Sequence, residues 1–287
     1  MLFSLLLACF PLYLLYAQEC SDVYPHLSCG LAYDDENSCL SAGCCWDPNE
    51  EATNNCFAPK INGYSVNIQL EETGRTYAEL DLIEPSGIFS GDIQALNLSI
   101  TQETVDRTHI KISSPGRWEV PDNILPRPGG VYTGDEALTK YLFTNAPDDP
   151  MELVISRTDS GQEITGELIF IFSKMLVFQD QYLEFVLGIP EGTVATYGFG
   201  ESTRKTQRLE VNTTYTLWNT DSPAAGFNNS LYGTHPFFIQ VMPDGKAHGV
   251  LFMNSNAMDV SLADSSTLGG SIGIQSTGGG VDIYVFA

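Results

Sequence analysis

Basic side chains are scarce in this sequence: 13 Lys and Arg stand against 36 Asp and Glu, a formal net charge of −23. Nucleic acid and anionic membranes are bound through clustered cations that release counterions, so this balance argues against both as partners. Charged residues of both signs are also few, at 17%, below the roughly 25% usual in soluble domains, which sets aside a charge-rich disordered chain. After residue 17 no apolar run approaches the about 20 residues a membrane-spanning helix needs. Long apolar patterns of period 3.6 are missing too, so βαβ units and a parallel-strand enzyme core are not expected. There is no internal repeat and no low-complexity tract. No cysteine follows Cys56.

What the sequence does hold begins with Met1 to Ala17, uncharged, rich in leucine and closing on Ala17. This reads as a secretory signal peptide over residues 1–17. Cys9 lies within it, and the other six cysteines (Cys20, Cys29, Cys39, Cys44, Cys45 and Cys56) cluster directly after it. An even number so placed implies a disulfide framework, and count alone does not choose among the many pairings. Adjacent Cys44 and Cys45 are poorly disposed to bond each other, because the bridge would strain the peptide between them. A zinc site would need reduced thiolates and CxxC-type pairs, so no metal is expected, and His26 reads as a surface residue.

Beyond Ala58-Pro59-Lys60 the pattern changes to short alternating runs: Val66, Ile68 and Leu70; Leu96, Leu98 and Ile100; Ile110 and Ile112; Leu153 and Ile155. Period-two alternation predicts strands with one buried face. Turn signals separate them, among them Ser86-Gly87, Pro115-Gly116, Asp159-Ser160-Gly161 and Pro243-Asp244-Gly245, and their density predicts an antiparallel β-sandwich. The runs Ile169 to Phe172 and Leu176 to Phe178 are continuously apolar, as in strands buried on both faces. Three sequons, at Asn97, Asn212 and Asn228, are acceptor sites for N-glycans in a secreted chain.

Signals for chemistry are weak. Gly198-Phe199-Gly200-Glu201-Ser202-Thr203 starts like a dinucleotide loop, but its sixth position is Thr203 and no βα unit follows. No G-x-S-x-G nucleophile elbow occurs. His235 and His248 read as loop or strand residues rather than general bases, and among 36 acids no pair is singled out for glycosidic chemistry. No cofactor is expected.

The spacing Cys39-x4-Cys44-Cys45-Trp46-Asp47 followed by Cys56-Phe57 resembles the P-type trefoil module. That resemblance implies pairing of Cys20 with Cys45, Cys29 with Cys44 and Cys39 with Cys56. Further blocks resemble the N-terminal part of family 31 glycoside hydrolases, α-glucosidases such as the lysosomal acid enzyme and intestinal maltase and sucrase. They are Leu176-Val177-Phe178-Gln179-Asp180-Gln181-Tyr182-Leu183, Tyr197-Gly198-Phe199-Gly200-Glu201, Leu217-Trp218-Asn219-Thr220-Asp221, Leu231-Tyr232-Gly233-Thr234-His235-Pro236-Phe237-Phe238, Met253 to Val260 and Thr277 to Phe286. The family order implied is a signal peptide (1–17), a trefoil (18–60) and a galactose mutarotase-like sandwich (61–287), ahead of a (β/α)8 barrel that performs retaining hydrolysis. Residues 61–287 fall short of the about 250 residues a barrel takes and are claimed by sandwich blocks, so the barrel is expected to be absent and no catalytic residue is assigned.

The resemblance also implies one substrate-side residue, Asp221, which matches the family's sandwich-loop aspartate at the mouth of the active site. Without a barrel it merely ends a strand before the Ser222-Pro223 turn. Trp218 is expected to pack in the interior, and Asn254 and Asn256 to satisfy loop backbone. Two functions are open on this basis. One is the non-catalytic N-terminal portion of a secretory-pathway α-glucosidase, with an α-glucan or maltooligosaccharide and the missing barrel as partners. The other is a stand-alone secreted carbohydrate- or partner-binding protein without hydrolase activity. A sugar mutarotase using His235 or His109 with a carboxylate is a third reading, resting on fold analogy.

Overall fold

The computed structural model describes residues 20, 29, 35–48, 55–59, 63–89, 91–121, 123–124, 130–144, 149–158, 168–223, 225–263 and 270–287, without the side chains of 68, 143–144 and 168–174. The stretch read as a signal peptide lies outside these residues, as do His26 and Asp159-Ser160-Gly161. The chain divides into two compact units, Met1–Ile61 and Asn62–Ala287.

In the first unit, helix α1 (Glu36–Ser41) starts at Asp35, whose carboxylate accepts from Ser38 N at 3.0 Å and Ser38 Oγ at 2.7 Å, an N-cap that satisfies a free helical amide. Gly43, at φ 81°, takes the left-handed conformation just after the helix. Strands β1 (Cys45–Trp46) and β2 (Cys56–Phe57) pair antiparallel. Disulfides join Cys20 to Cys45, Cys29 to Cys44 and Cys39 to Cys56. Cys39, Cys44 and Cys56 are buried, with Cys29 and Trp46 packed against them, so half-cystines take the place of an apolar core. The Sγ atoms of Cys29, Cys44 and Cys56 lie within 4.8 Å of one another. All three are in disulfides, which leaves no thiolate to ligate a metal.

The strands of the second unit are β3 (Tyr64–Glu72), β4 (Arg75–Leu82), β5 (Ala95–Thr104), β6 (Arg107–Ser113), β7 (Thr139–Thr144), β8 (Glu152–Arg157), β9 (Leu168–Phe178), β10 (Leu183–Ile189), β11 (Ala195–Ser202), β12 (Thr213–Leu217), β13 (Ser230–Val241), β14 (Ala247–Phe252), β15 (Met258–Ala263), β16 (Gly270–Ser276) and β17 (Val281–Phe286). They form two antiparallel sheets, one ordered β12-β15-β16-β10-β9-β8-β7 and the other β11-β13-β14-β17-β6-β5-β4-β3. A single apolar core joins the inward faces: Leu80, Leu96, Leu98, Ile100, Ile110, Ile112, Phe238, Val250 and Ile283 from the larger sheet, and Leu153, Ile155, Phe178, Phe185, Val260 and Ile274 from the smaller. The fold is mostly β, with no (β/α)8 barrel among the described residues. Nor is any helix there long and apolar enough to cross a membrane.

Alternation predicts burial well where strands are regular. Leu96, Leu98 and Ile100 on β5 are at most 2% exposed, and Ile110 and Ile112 on β6 are fully buried. It fails at Leu70, which is 63% exposed. The register of β3 on β4 shifts between Val66 and Ile68, and a bulge carries the residues beyond it out of phase with the buried face. The apolar runs at 169–172 and 176–178 are one strand, β9, flanked by β10 and β8 in its sheet. Leu176, Val177 and Phe178 there are all buried.

Candidate functional site

β12 and β13 belong to different sheets, and the end of β12, the residues after it and the start of β13 form an arm whose two legs hydrogen-bond to each other as a ribbon. Thr220 N donates to Leu231 O at 2.9 Å, Thr220 Oγ1 to Ser230 O at 2.7 Å and Ser230 Oγ to Thr216 O at 2.8 Å. Residues two apart on each leg also pair by side chain: the Thr234 hydroxyl donates to Asn219 Oδ1, and the Tyr232 phenol donates to Asp221 Oδ1. At the tip Gly226 N donates to Pro223 O at 3.1 Å, and Asn229 N and O bond Thr203 at 3.0 Å each, tying the arm to the end of β11.

Asp221 is exposed on this arm. So are three aromatic residues, Trp218 (56%), Tyr232 (67%) and Phe227 (75%). The expectation that Trp218 packs in the interior is therefore corrected: the chain leaves β12 after Leu217, the last buried position, and Trp218 has no opposing sheet to pack on. The hydrogen bond to Asp221 holds the Tyr232 phenol above its ordinary pKa, so it stays protonated as the donor. Beside the arm runs a groove of about 670 Å³ whose walls include Phe227, Asn228, Arg204 and Tyr215. The Arg204 guanidinium lies 4.5 Å over the Tyr215 ring, a cation–π contact, and bonds Phe199 O at 2.7 Å. Asp221 does not line this groove.

The histidines are not brought together into a catalytic pair. His235 is exposed on β13. On the outer face of β6, His109 Nε2 meets Asp282 Oδ1 at 2.7 Å and Nδ1 meets Glu103 Oε1 at 3.4 Å, with Tyr284 stacked on the ring at 4.1 Å. Both ring nitrogens face carboxylates of the chain itself, which leaves neither for a sugar hydroxyl. Burial pulls the His109 pKa down, but hydrogen bonds and charge from Asp282 and Glu103 outweigh it, and the net shift is upward. His248, on β14, bonds Gln240 Oε1 at 2.8 Å in the core. Burial, then the Arg157 charge, lower its pKa to about 4.

The two histidines act on stability in opposite senses. A pKa raised in the fold gives His109 a contribution present below pH ~6.5 and lost as pH rises through its folded pKa. A lowered one makes His248 destabilising as pH falls from ~6.5 towards 4, by about 2 kcal/mol between pH 7 and pH 5. Urea midpoints at these two pH values are expected to converge in His248→Gln, which cannot take up the proton. An undiminished acid loss in that variant would show that other groups carry it.

Asn254 Nδ2 donates to Gly278 O at 2.8 Å, and its Oδ1 accepts from Asn256 N at 2.8 Å. These asparagines hold a loop, as expected. The residue overlooked in the sequence is Tyr232, quoted there within a block but given no role. The available signal was the equal two-residue spacing of Asn219 and Asp221 against Tyr232 and Thr234.

Residues 131–260 match the glycosyl hydrolase 31 N-terminal galactose mutarotase-like domain. A probable alpha-glucosidase of Oryza sativa subsp. japonica is 35% identical over 251 residues, 78% of this chain and 27% of its own. The matched residues belong to glycosyl hydrolase family 31, in its N-terminal domain. Lysosomal alpha-glucosidase of Rattus norvegicus is 33% identical over 263 residues, 88% of this chain and 26% of the rat protein. Among solved structures, a glucosidase II alpha subunit superposes with a TM-score of 0.62 at 12% identity, over 79% of this chain and 32% of that one, which shows a common fold. The chain thus spans about a quarter of the length of these curated relatives.

Proposed function

We propose that this chain is the non-catalytic N-terminal portion of a secretory-pathway α-glucosidase, in which the exposed arm lends Asp221 to a substrate site completed by a barrel. The observation that carries this reading is the match to about a quarter of alpha-glucosidases over most of this chain. The whole enzyme would hydrolyse α-glucosidic bonds of maltose, starch or glycogen type with retention. Asp221 suits the role because a carboxylate accepts from paired sugar hydroxyls, and the exposed aromatics around it offer faces to a saccharide. The trefoil is a structural appendage in this reading.

A second feature supports a missing domain. Tyr197, Ile239 and Phe286 line up across the outer face of the larger sheet through Gly249, and each is 36–39% exposed. A row of large apolar residues on one face suits burial against a barrel.

The test is the size of the native polypeptide, read by immunoblot of deglycosylated tissue extract with antibody to the sandwich. A band above 31.4 kDa by at least the mass of a barrel of about 250 residues is expected. A band near 31.4 kDa would overturn the reading in favour of a short secreted binding protein.

Passage through the secretory pathway suits three disulfides, which persist in oxidising compartments. Asn97, Asn212 and Asn228 are all exposed. Secreted protein is expected to run faster on a gel after enzymatic removal of N-glycans. Unchanged mobility would mean that none of the three sequons is occupied.

A further inference from the structure

An exposed aspartate is a poor ligand for a sugar unless something fixes it, because binding must then freeze its side-chain rotors. Asp221 is fixed on one side only. Its Oδ1 accepts from the Tyr232 phenol on the opposite leg, while Oδ2 has no partner among the described residues. Tyr232 stands on a leg that is itself secured through the backbone, by Thr220 N to Leu231 O at 2.9 Å.

Resting on the role given to Asp221 above, we propose that Tyr232 is its positioning residue: by occupying Oδ1 it turns Oδ2 outward as the acceptor for a sugar hydroxyl. The phenol is suited to this because it donates one hydrogen bond and, with its pKa raised, does not ionise against the carboxylate. A lysine there would neutralise the acceptor, and a phenylalanine would leave it free to rotate. The requirement is for a neutral donor at this distance along the ribbon.

A double-mutant cycle in the full-length enzyme tests this, with maltose as the probe and kcat/KM as the readout. Tyr232→Phe is expected to lower kcat/KM about three- to tenfold, the effect of releasing one side chain. In the Asp221→Ala background the same change is expected to add nothing, since no carboxylate is left to orient. Thr234→Val removes the neighbouring side-chain pair without touching Asp221 and should leave kcat/KM within about twofold. Equal losses from Tyr232→Phe with and without Asp221 would overturn the proposal, because Tyr232 would then meet the sugar itself. A Thr234→Val loss as large as that of Tyr232→Phe would overturn it in favour of simple ribbon integrity. If Asp221→Ala reduces kcat/KM and Tyr232→Phe does not, the positioning role fails alone. If Asp221→Ala has no effect, the substrate-site role of the arm fails and takes the positioning role with it.

Discussion

Replacing Phe185 with alanine is expected to destabilise the sandwich by about 3–5 kcal/mol. Phe185 is fully buried on β10, at the centre of the smaller sheet, and meets Phe252 of the larger sheet edge to face, with ring centroids 5.3 Å apart. The truncation removes apolar surface from the core, leaves a cavity that neighbouring strands cannot close, and breaks an aromatic pair spanning the two layers. Against a typical domain stability of about 5–15 kcal/mol, this is enough to populate the unfolded state at body temperature. Chemical denaturation monitored by far-ultraviolet circular dichroism gives the value. Trp218→Ala serves as the contrast: although a larger side chain is removed, its exposure limits the effect to about 0.5 kcal/mol. A Phe185→Ala loss below about 1.5 kcal/mol would mean that the layers repack across the gap.

Simultaneous replacement of Cys39 and Cys56 by serine is expected to unfold the trefoil. The bridge closes a loop with a sequence separation of 17, which in the chain-entropy account contributes about 3 kcal/mol. A module of about 40 residues has little to set against that loss. Moreover, Cys39 and Cys56 are part of the small buried cluster itself, so the substitution would place two hydroxyls inside it. Limited proteolysis followed by mass spectrometry is the measurement, with cleavage expected within residues 20–59 and not in the sandwich strands. Resistance equal to wild type would show that the other two bridges suffice.

The sandwich was legible in the sequence because its regular strands obey a local rule. On β5 and β6 Leu96, Leu98, Ile100, Ile110 and Ile112 recur at every second position and all are buried, and no long-range information is needed to see it. Leu70 was misread because a bulge is an insertion into a pairing, visible only when β4 lies alongside. Trp218 was misread for a related reason: a tryptophan next to a strand pattern looks like core, and only the sheet order shows that nothing faces it. The trefoil pairing came with the resemblance, since spacing does not order six equivalent thiols. Asp221 came the same way. Its contact with Tyr232 joins residues eleven apart in sequence across a loop whose path no periodicity describes.

The strand order has a consequence for synthesis. Within the larger sheet, β11-β13-β14 and β6-β5-β4-β3 touch only through β17, whose residues Val281–Phe286 pair with β14 on one side and β6 on the other. On the ribosome, β6 emerges early and waits with one rim open while some 170 further residues are made, because its register partner for Ile110 is Ile283. An open rim of this kind is a template for pairing with other chains, and a contact so distant in sequence forms slowly. Nascent chains stalled before Val281 should therefore be the ones that bind chaperones and aggregate when those are depleted, while chains extended past Phe286 are released. The last strand acts as a keystone, and the sheet cannot close by degrees.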